Sequence, residues 1–287
     1  MTGLRALVAE ELAQPVDPRV AALAEVIARK HGEASRAVLF YGSCLREAQL
    51  DGLMLDFYLI VSDYRRAYAK RWLAAANRLI PPNVFYVEAD GLAAKYAVLS
   101  EADFERLSGP ATRNVSVWAR FAQPARIAWS ASKAARDRAI AAVSRASPTL
   151  LAAAGEVPGE APLDHWRRAF ALTYSAELRA ERKARAASVV DLDPDRYQRF
   201  SGPALAEARK LSGASGGWER RRIEGKALSV ARLAKASLTF AGGPDYIAWK
   251  INRHAGTDIR LKPWQKRHPL LAAITLLPRL IWSGAIR

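Results

Sequence analysis

The chain has 287 residues, 51% hydrophobic and 25% charged, a globular rather than disordered composition with room for one large domain or two ordinary ones. Lys and Arg number 44 against 28 Asp and Glu, giving a net charge of +16 and a pI near 10.3. That balance favours polyanionic partners such as nucleic acid, an anionic membrane surface or phosphorylated substrates. The lone cysteine, Cys44, excludes an internal disulfide and fits a reducing compartment.

Glu10 and Glu11 near the start, with no apolar run, argue against a secretory signal or a transit peptide. Asp17-Pro18 predicts a cap and first-turn pair opening a helix to about Lys30. Ala37 to Tyr41 (AVLFY) reads as a buried strand entering a turn at Gly42-Ser43. Leu55 to Val61 (LDFYLIV) reads as a second strand. Helical spacing over Tyr64 to Leu79 is closed by Pro81-Pro82. Asn83 to Glu88 and Lys95 to Leu99 predict two more strands, with Asp90-Gly91 in their connection.

From about Ser130 the strand-like runs vanish. Helical patterns alternate with breaks at Pro148, Pro158-Gly159, Asp193-Pro194 and Ser212 to Gly217. The expected organisation is therefore an α+β domain over 1–130, a mainly helical domain over 131–245, and a basic amphipathic segment over 246–287. That last segment mixes Trp249, Trp264 and Trp282 with eight Lys/Arg and one acid, Asp258, a composition suited to anionic lipid headgroups. Its apolar part, Pro269 to Trp282, is too short to span a bilayer and contains Arg279. The expectation is a cytoplasmic protein held peripherally at the inner face of a membrane. The runs Arg179 to Arg185 and Arg220 to Arg222 interleave with Glu177, Glu181, Glu219 and Glu224. They read as solvated faces with local ion pairs, which disfavours nucleic acid as the partner. The four histidines, His31, His165, His254 and His268, lack metal-ligand spacing and read as structural or surface residues.

The chemistry concentrates at Tyr41-Gly42-Ser43 and Asp56. Glycine lets backbone approach a phosphate, and serine adds a hydroxyl and an N–H at a helix start. A carboxylate in an apolar strand such as Asp56 is costly unless it meets a metal or a cation. The alternative is a strand-edge carboxylate facing water. Nucleotidyltransferases place such a turn beside a strand aspartate, so that phosphate and magnesium meet there. Their usual Asp-x-Asp is incomplete here, because the second position is Tyr58. Glu88 is the first replacement ligand to consider, with Asp90 and Asp63 after it. Few carboxylates favour an acceptor that needs no general base, and a phosphomonoester is largely ionised at neutral pH.

Tyr41-Gly42-Ser43, Met54-Leu55-Asp56-Phe57, Lys95-Tyr96-Ala97-Val98 and Arg120 followed by Pro124 together resemble the mitochondrial-type phosphatidate cytidylyltransferases, the translocator assembly and maintenance family. Lys235 to Gly242 resembles a late block of that family. The resemblance is strong over residues 36–130 and thin from there to about 225. It implies a nucleotidyltransferase-type mixed sheet with flanking helices and then a winged-helix-like domain. It also implies CTP and Mg2+, with phosphatidic acid converted to CDP-diacylglycerol and pyrophosphate. On this resemblance Gly42 and Ser43, with Tyr41 beside them, hold the triphosphate; Asp56 binds magnesium; Lys95 and Arg120 contact phosphates. The chain departs from the family in having Lys-Tyr-Ala for Lys-Tyr-Gly. It also has Tyr68, Trp72 and Asn77, without histidine, after the aspartate strand. A nucleotidyltransferase acting on RNA, protein or a small molecule, and an inactive lipid- or RNA-binding relative, are the competing expectations.

Overall fold

A computed structural model describes residues 3–47, 50, 52–177, 189–211 and 216–239. Helices α1 (Leu4–Ala13) and α2 (Pro18–Lys30) come first. Asp17 accepts a hydrogen bond from the Arg19 N–H, and Pro18 occupies the first turn, where a missing N–H costs nothing. Five strands follow: β1 (Ser35–Tyr41), β2 (Met54–Val61), β3 (Asn83–Ala89), β4 (Leu92–Ser100) and β5 (Ala125–Ser130). They form one mixed sheet in the order β3-β4-β2-β1-β5, parallel only between β2 and β4. Between β3 and β4, Asp90 and Gly91 both have positive φ (50° and 74°), the backbone that a tight hairpin turn requires.

The remaining helices are α3 (Ser43–Glu47), α4 (Tyr64–Ala67), α5 (Arg71–Leu79), α6 (Glu101–Ser108), α7 (Ser116–Phe121) and α8 (Lys133–Val143). Then come α9 (Ala146–Ala154), α10 (Pro162–Ala176), α11 (Pro194–Ala208) and α12 (Trp218–Thr239). The expected single helix over Tyr64 to Leu79 is two. Tyr68 is extended at the break, and its ring packs edge-on to His31. Pro148 does not break the chain as expected, since it lies in the first turn of α9. The strand β5 had no counterpart in the sequence pattern. Among the described residues no strand follows Ser130.

Side-chain alternation gives the sheet two apolar faces. Val38, Phe40, Phe57, Leu59 and Val98 pack on Leu23 and Ile27 of α2. On the opposite face Leu39, Tyr58, Ile60 and Leu99 join one continuous buried cluster with Trp118, Phe121, Trp166, Phe170, Tyr197 and Phe200. The helices beyond residue 130 thus share a core with the sheet. Each large side chain so enclosed contributes about 1.5–3 kcal/mol of transfer free energy.

Two surfaces expected to be informative fall elsewhere. The segment 246–287 and the run Arg179 to Arg185 lie outside the described residues. Arg221, expected on a solvated face, is instead 8% exposed, donating to the carbonyls of Thr112 (3.3 Å) and Arg113 (3.1 Å). No helix among the described residues is long and apolar enough to cross a membrane.

Candidate functional site

Strand register gathers the central residues into a row. Tyr41 pairs with Asp56, Asp56 with Lys95, and Lys95 with Tyr86, so all four side chains share the face that the later helices cover. The row lies at the end of the sheet where β1 finishes and β2 and β4 begin. Lys95 Nζ is 3.0 Å from Asp56 Oδ1, with the two side chains 26% and 20% exposed.

Gly42 closes β1 with φ of 99°, a conformation that side-chain-bearing residues rarely adopt. A Cβ there would lie 3.0 Å from Asp56 Oδ2 and 3.3 Å from its Cβ. The glycine therefore serves both the turn and the carboxylate's space. Ser43 follows as the first residue of α3.

Helix α7 lies over this end of the sheet. Phe121 packs edge-on to Tyr58 (ring centroids 5.2 Å) and tilted to Tyr41 (6.0 Å). The preceding residue, Arg120, is thereby carried to the Tyr41 hydroxyl. It donates to the Ser116 carbonyl, and its Nη1 is 3.5 Å from Glu177 Oε1. Burial works against the Arg120 charge. Glu177, then Tyr58, Tyr41 and Asp56, more than offset this and raise its pKa above the usual range. Burial pushes the Tyr41 hydroxyl well up, and the Asp56 and Tyr58 charges push it further.

The geometry brings together Tyr41, Gly42, Asp56, Lys95 and Arg120, with Ser43 next in the turn. It does not bring Glu88 there. Glu88 stands on β3, two strands from Asp56, exposed and accepting a 2.8 Å bond from Tyr86. Asp63 caps α4 at the far end of β2. Tyr58, in place of a second carboxylate, is 2% exposed and wedged between the Tyr41 and Phe121 rings. The position is part of the hydrophobic core.

Among the described residues no cluster of three or more His, Cys, Asp or Glu converges as a ready metal cage. The donor set still suits Mg2+, which is often held by one or two carboxylates together with substrate phosphates. Lys95 engages Oδ1 of Asp56, which leaves Oδ2, facing Gly42, as the available donor.

Glu177, expected on a solvated face with local ion pairs, is instead 8% exposed and pairs with the distant Arg120, and sequence reasoning missed Arg232 of α12. Arg232 Nη1 donates to Ser116 Oγ (2.9 Å) and its Nε to the Pro81 carbonyl (2.8 Å). Three residues on, Lys235 donates to the carbonyls of Ile80 and Pro82 (2.8 Å to the latter). Only the resemblance of the Lys235 to Gly242 block drew attention to this stretch. No protein-family model matches the chain, and no curated protein matches it at a significant level.

Proposed function

We propose that this chain is a magnesium-dependent nucleotidyltransferase with a nucleotidyltransferase-type fold. In this reading it transfers the cytidylyl group of CTP to phosphatidic acid at an anionic membrane surface. The observation that carries the reading is the contact of the Gly42 turn with Asp56, in register with Lys95 and beside Arg120.

The bare backbone at Gly42 admits a triphosphate against the Asp56 carboxylate, with Ser43 adding its hydroxyl and N–H. Asp56 Oδ2 would hold the ion, and Lys95 fixes the carboxylate's orientation through Oδ1. Bound Mg2+ would supply Lewis-acid stabilisation of charge on the triphosphate. Lys95 and Arg120 oppose the same charge with fixed cations, which need no reorganisation during the reaction. An oxygen of the lipid phosphomonoester attacks the α-phosphorus. The bond to the bridging oxygen breaks, pyrophosphate leaves, and CDP-diacylglycerol remains. The nucleophile arrives already ionised, so the core position of Tyr58 deprives the reaction of no general base. The excess of 44 basic over 28 acidic residues suits an anionic lipid surface.

The test is incubation with Mg2+, phosphatidic acid vesicles and each labelled nucleoside triphosphate. Labelled lipid from CTP is the expected product. Label from another nucleotide reassigns the base. No lipid product from any nucleotide sinks the reading.

A further inference from the structure

Beyond the row of Tyr41, Asp56 and Lys95, the same end of the molecule holds a second group of charges. Arg120 and Arg232 come from different helices, α7 and α12, yet both are anchored on Ser116. One donates to its carbonyl and the other to its hydroxyl. Ser116 is 2% exposed, so the two guanidinium groups meet over a buried residue. Both charges act on the buried Tyr58 hydroxyl, and Glu177, 8% exposed, is the carboxylate that acts on both.

Such a pairing is unfavourable as it stands. Like charges repel, and the cost grows where solvent is excluded. Burial and the Arg120 charge lower the Arg232 pKa, while Tyr58 and Glu177 resist the fall. One nitrogen of Arg232, Nη2, is enclosed and has no hydrogen-bond partner among the described residues. A buried donor left unmade costs free energy unless a further acceptor completes it. Arg120 is 31% exposed, so the pair is reached from its side. Asp56 acts on the Arg120 charge, which places the pair next to the nucleotide row.

We infer that Arg120 and Arg232, both anchored on Ser116, form a subsite for a phosphomonoester anion beside the turn at Gly42, with Arg120 shared between it and the nucleotide row. Two planar forks suit the tetrahedral oxygens of a phosphate, and a dianion neutralises both cations at once. Resting on the nucleotidyl-transfer reading, the subsite is where the acceptor's phosphate waits beside Asp56. Arg232 is then a binding residue for the acceptor and not for the nucleotide.

The test titrates the full-length protein calorimetrically with inorganic phosphate and, separately, with Mg·CTP. Arg232→Gln is expected to weaken phosphate binding about tenfold or more, the effect of losing a charge-assisted bond. Its Mg·CTP affinity stays within about twofold of wild type, because Arg232 belongs to the acceptor side alone. Lys95→Met is expected to keep phosphate binding. Unchanged phosphate binding in Arg232→Gln, or loss in Lys95→Met alone, overturns the subsite. If glutamine at 232 prevents folding, Arg232→Lys answers the same question: weaker phosphate binding supports the site and unchanged binding overturns it. Vesicles of phosphatidic acid and of phosphatidylglycerol at matched charge separate the sources. Preference for phosphatidic acid that vanishes in Arg232→Gln identifies a lipid headgroup. Equal binding of both vesicles, with phosphate binding retained, identifies a soluble phosphomonoester. Wild-type protein that binds phosphate but no Mg·CTP sinks the nucleotidyl-transfer reading and leaves the subsite standing.

Discussion

Two arginines in this molecule, one buried and one part-buried, are treated in opposite ways. Arg196, 6% exposed, is saturated. Its Nε and Nη2 reach both oxygens of Glu11, its Nη1 donates to the Ala122 carbonyl (3.1 Å), and its guanidinium lies 4.4 Å from the Phe200 ring centroid. Arg232 faces a second arginine, shares one carboxylate with it and keeps an enclosed nitrogen unmatched. The first arrangement joins α1 to α11 and has nothing left to offer a ligand. The second is incomplete beside a row of candidate catalytic residues. Burial alone does not separate a structural arginine from a binding one; the count of satisfied donors does.

The contrast is sharpest where it can be broken. Arg196→Ala abandons a buried carboxylate at Glu11, so chemical denaturation is expected to show a loss of about 3–5 kcal/mol. Arg232→Met removes a charge that its surroundings already oppose. Its unfolding free energy is expected to change by about 1 kcal/mol or less. Asp56→Asn keeps the shape of the row and removes its anion. Nucleotidyl transfer, read as labelled lipid, is expected to fall about 100-fold or more while the unfolding midpoint holds. Gly42→Ala strains a left-handed residue and crowds Asp56 Oδ2, costing about 1–3 kcal/mol of stability together with activity.

The smallest effect is one of slope. Burial, with help from the Arg232 charge, lowers the Lys235 pKa to about 7, from 10.5. Between those values the unfolded chain holds the proton that the folded chain gives up. Stability from this group is therefore complete above the unfolded value and is lost as pH falls towards 7. Denaturation of Lys235→Met at pH 7 and pH 9.5, compared with wild type, is expected to remove that rise. Equal slopes would show that the buried amine keeps its ordinary affinity for protons.

The strands that carry the site were legible because β1 and β2 are short apolar runs, and Gly42 and Asp56 stand at their ends. The cap pair Asp17-Pro18 likewise marked α2, and the turn residues Asp90-Gly91 marked the hairpin. Pattern reading failed for β5, a short edge strand that sends Ala125 and Ile127 to one apolar cluster and Ala128 and Trp129 to the other, with no clean alternation. The parallel pairing of β2 with β4 depends on a crossover and leaves no local trace, so the alignment of Asp56 with Lys95 emerged only in three dimensions. Arg120 was legible through resemblance alone. Arg232 carried no signal and Glu177 a misleading one, because their meaning comes from contacts across the chain. Arg221 shows the same limit in reverse, since a charge run with helical spacing concealed a buried residue.

Ser116 binds one arginine through its backbone and the other through its side chain, so neither can move alone. Ser116 opens α7, and its hydroxyl ties that first turn to α12, a helix that runs to Thr239. A single serine hydroxyl makes the two helices report on one another.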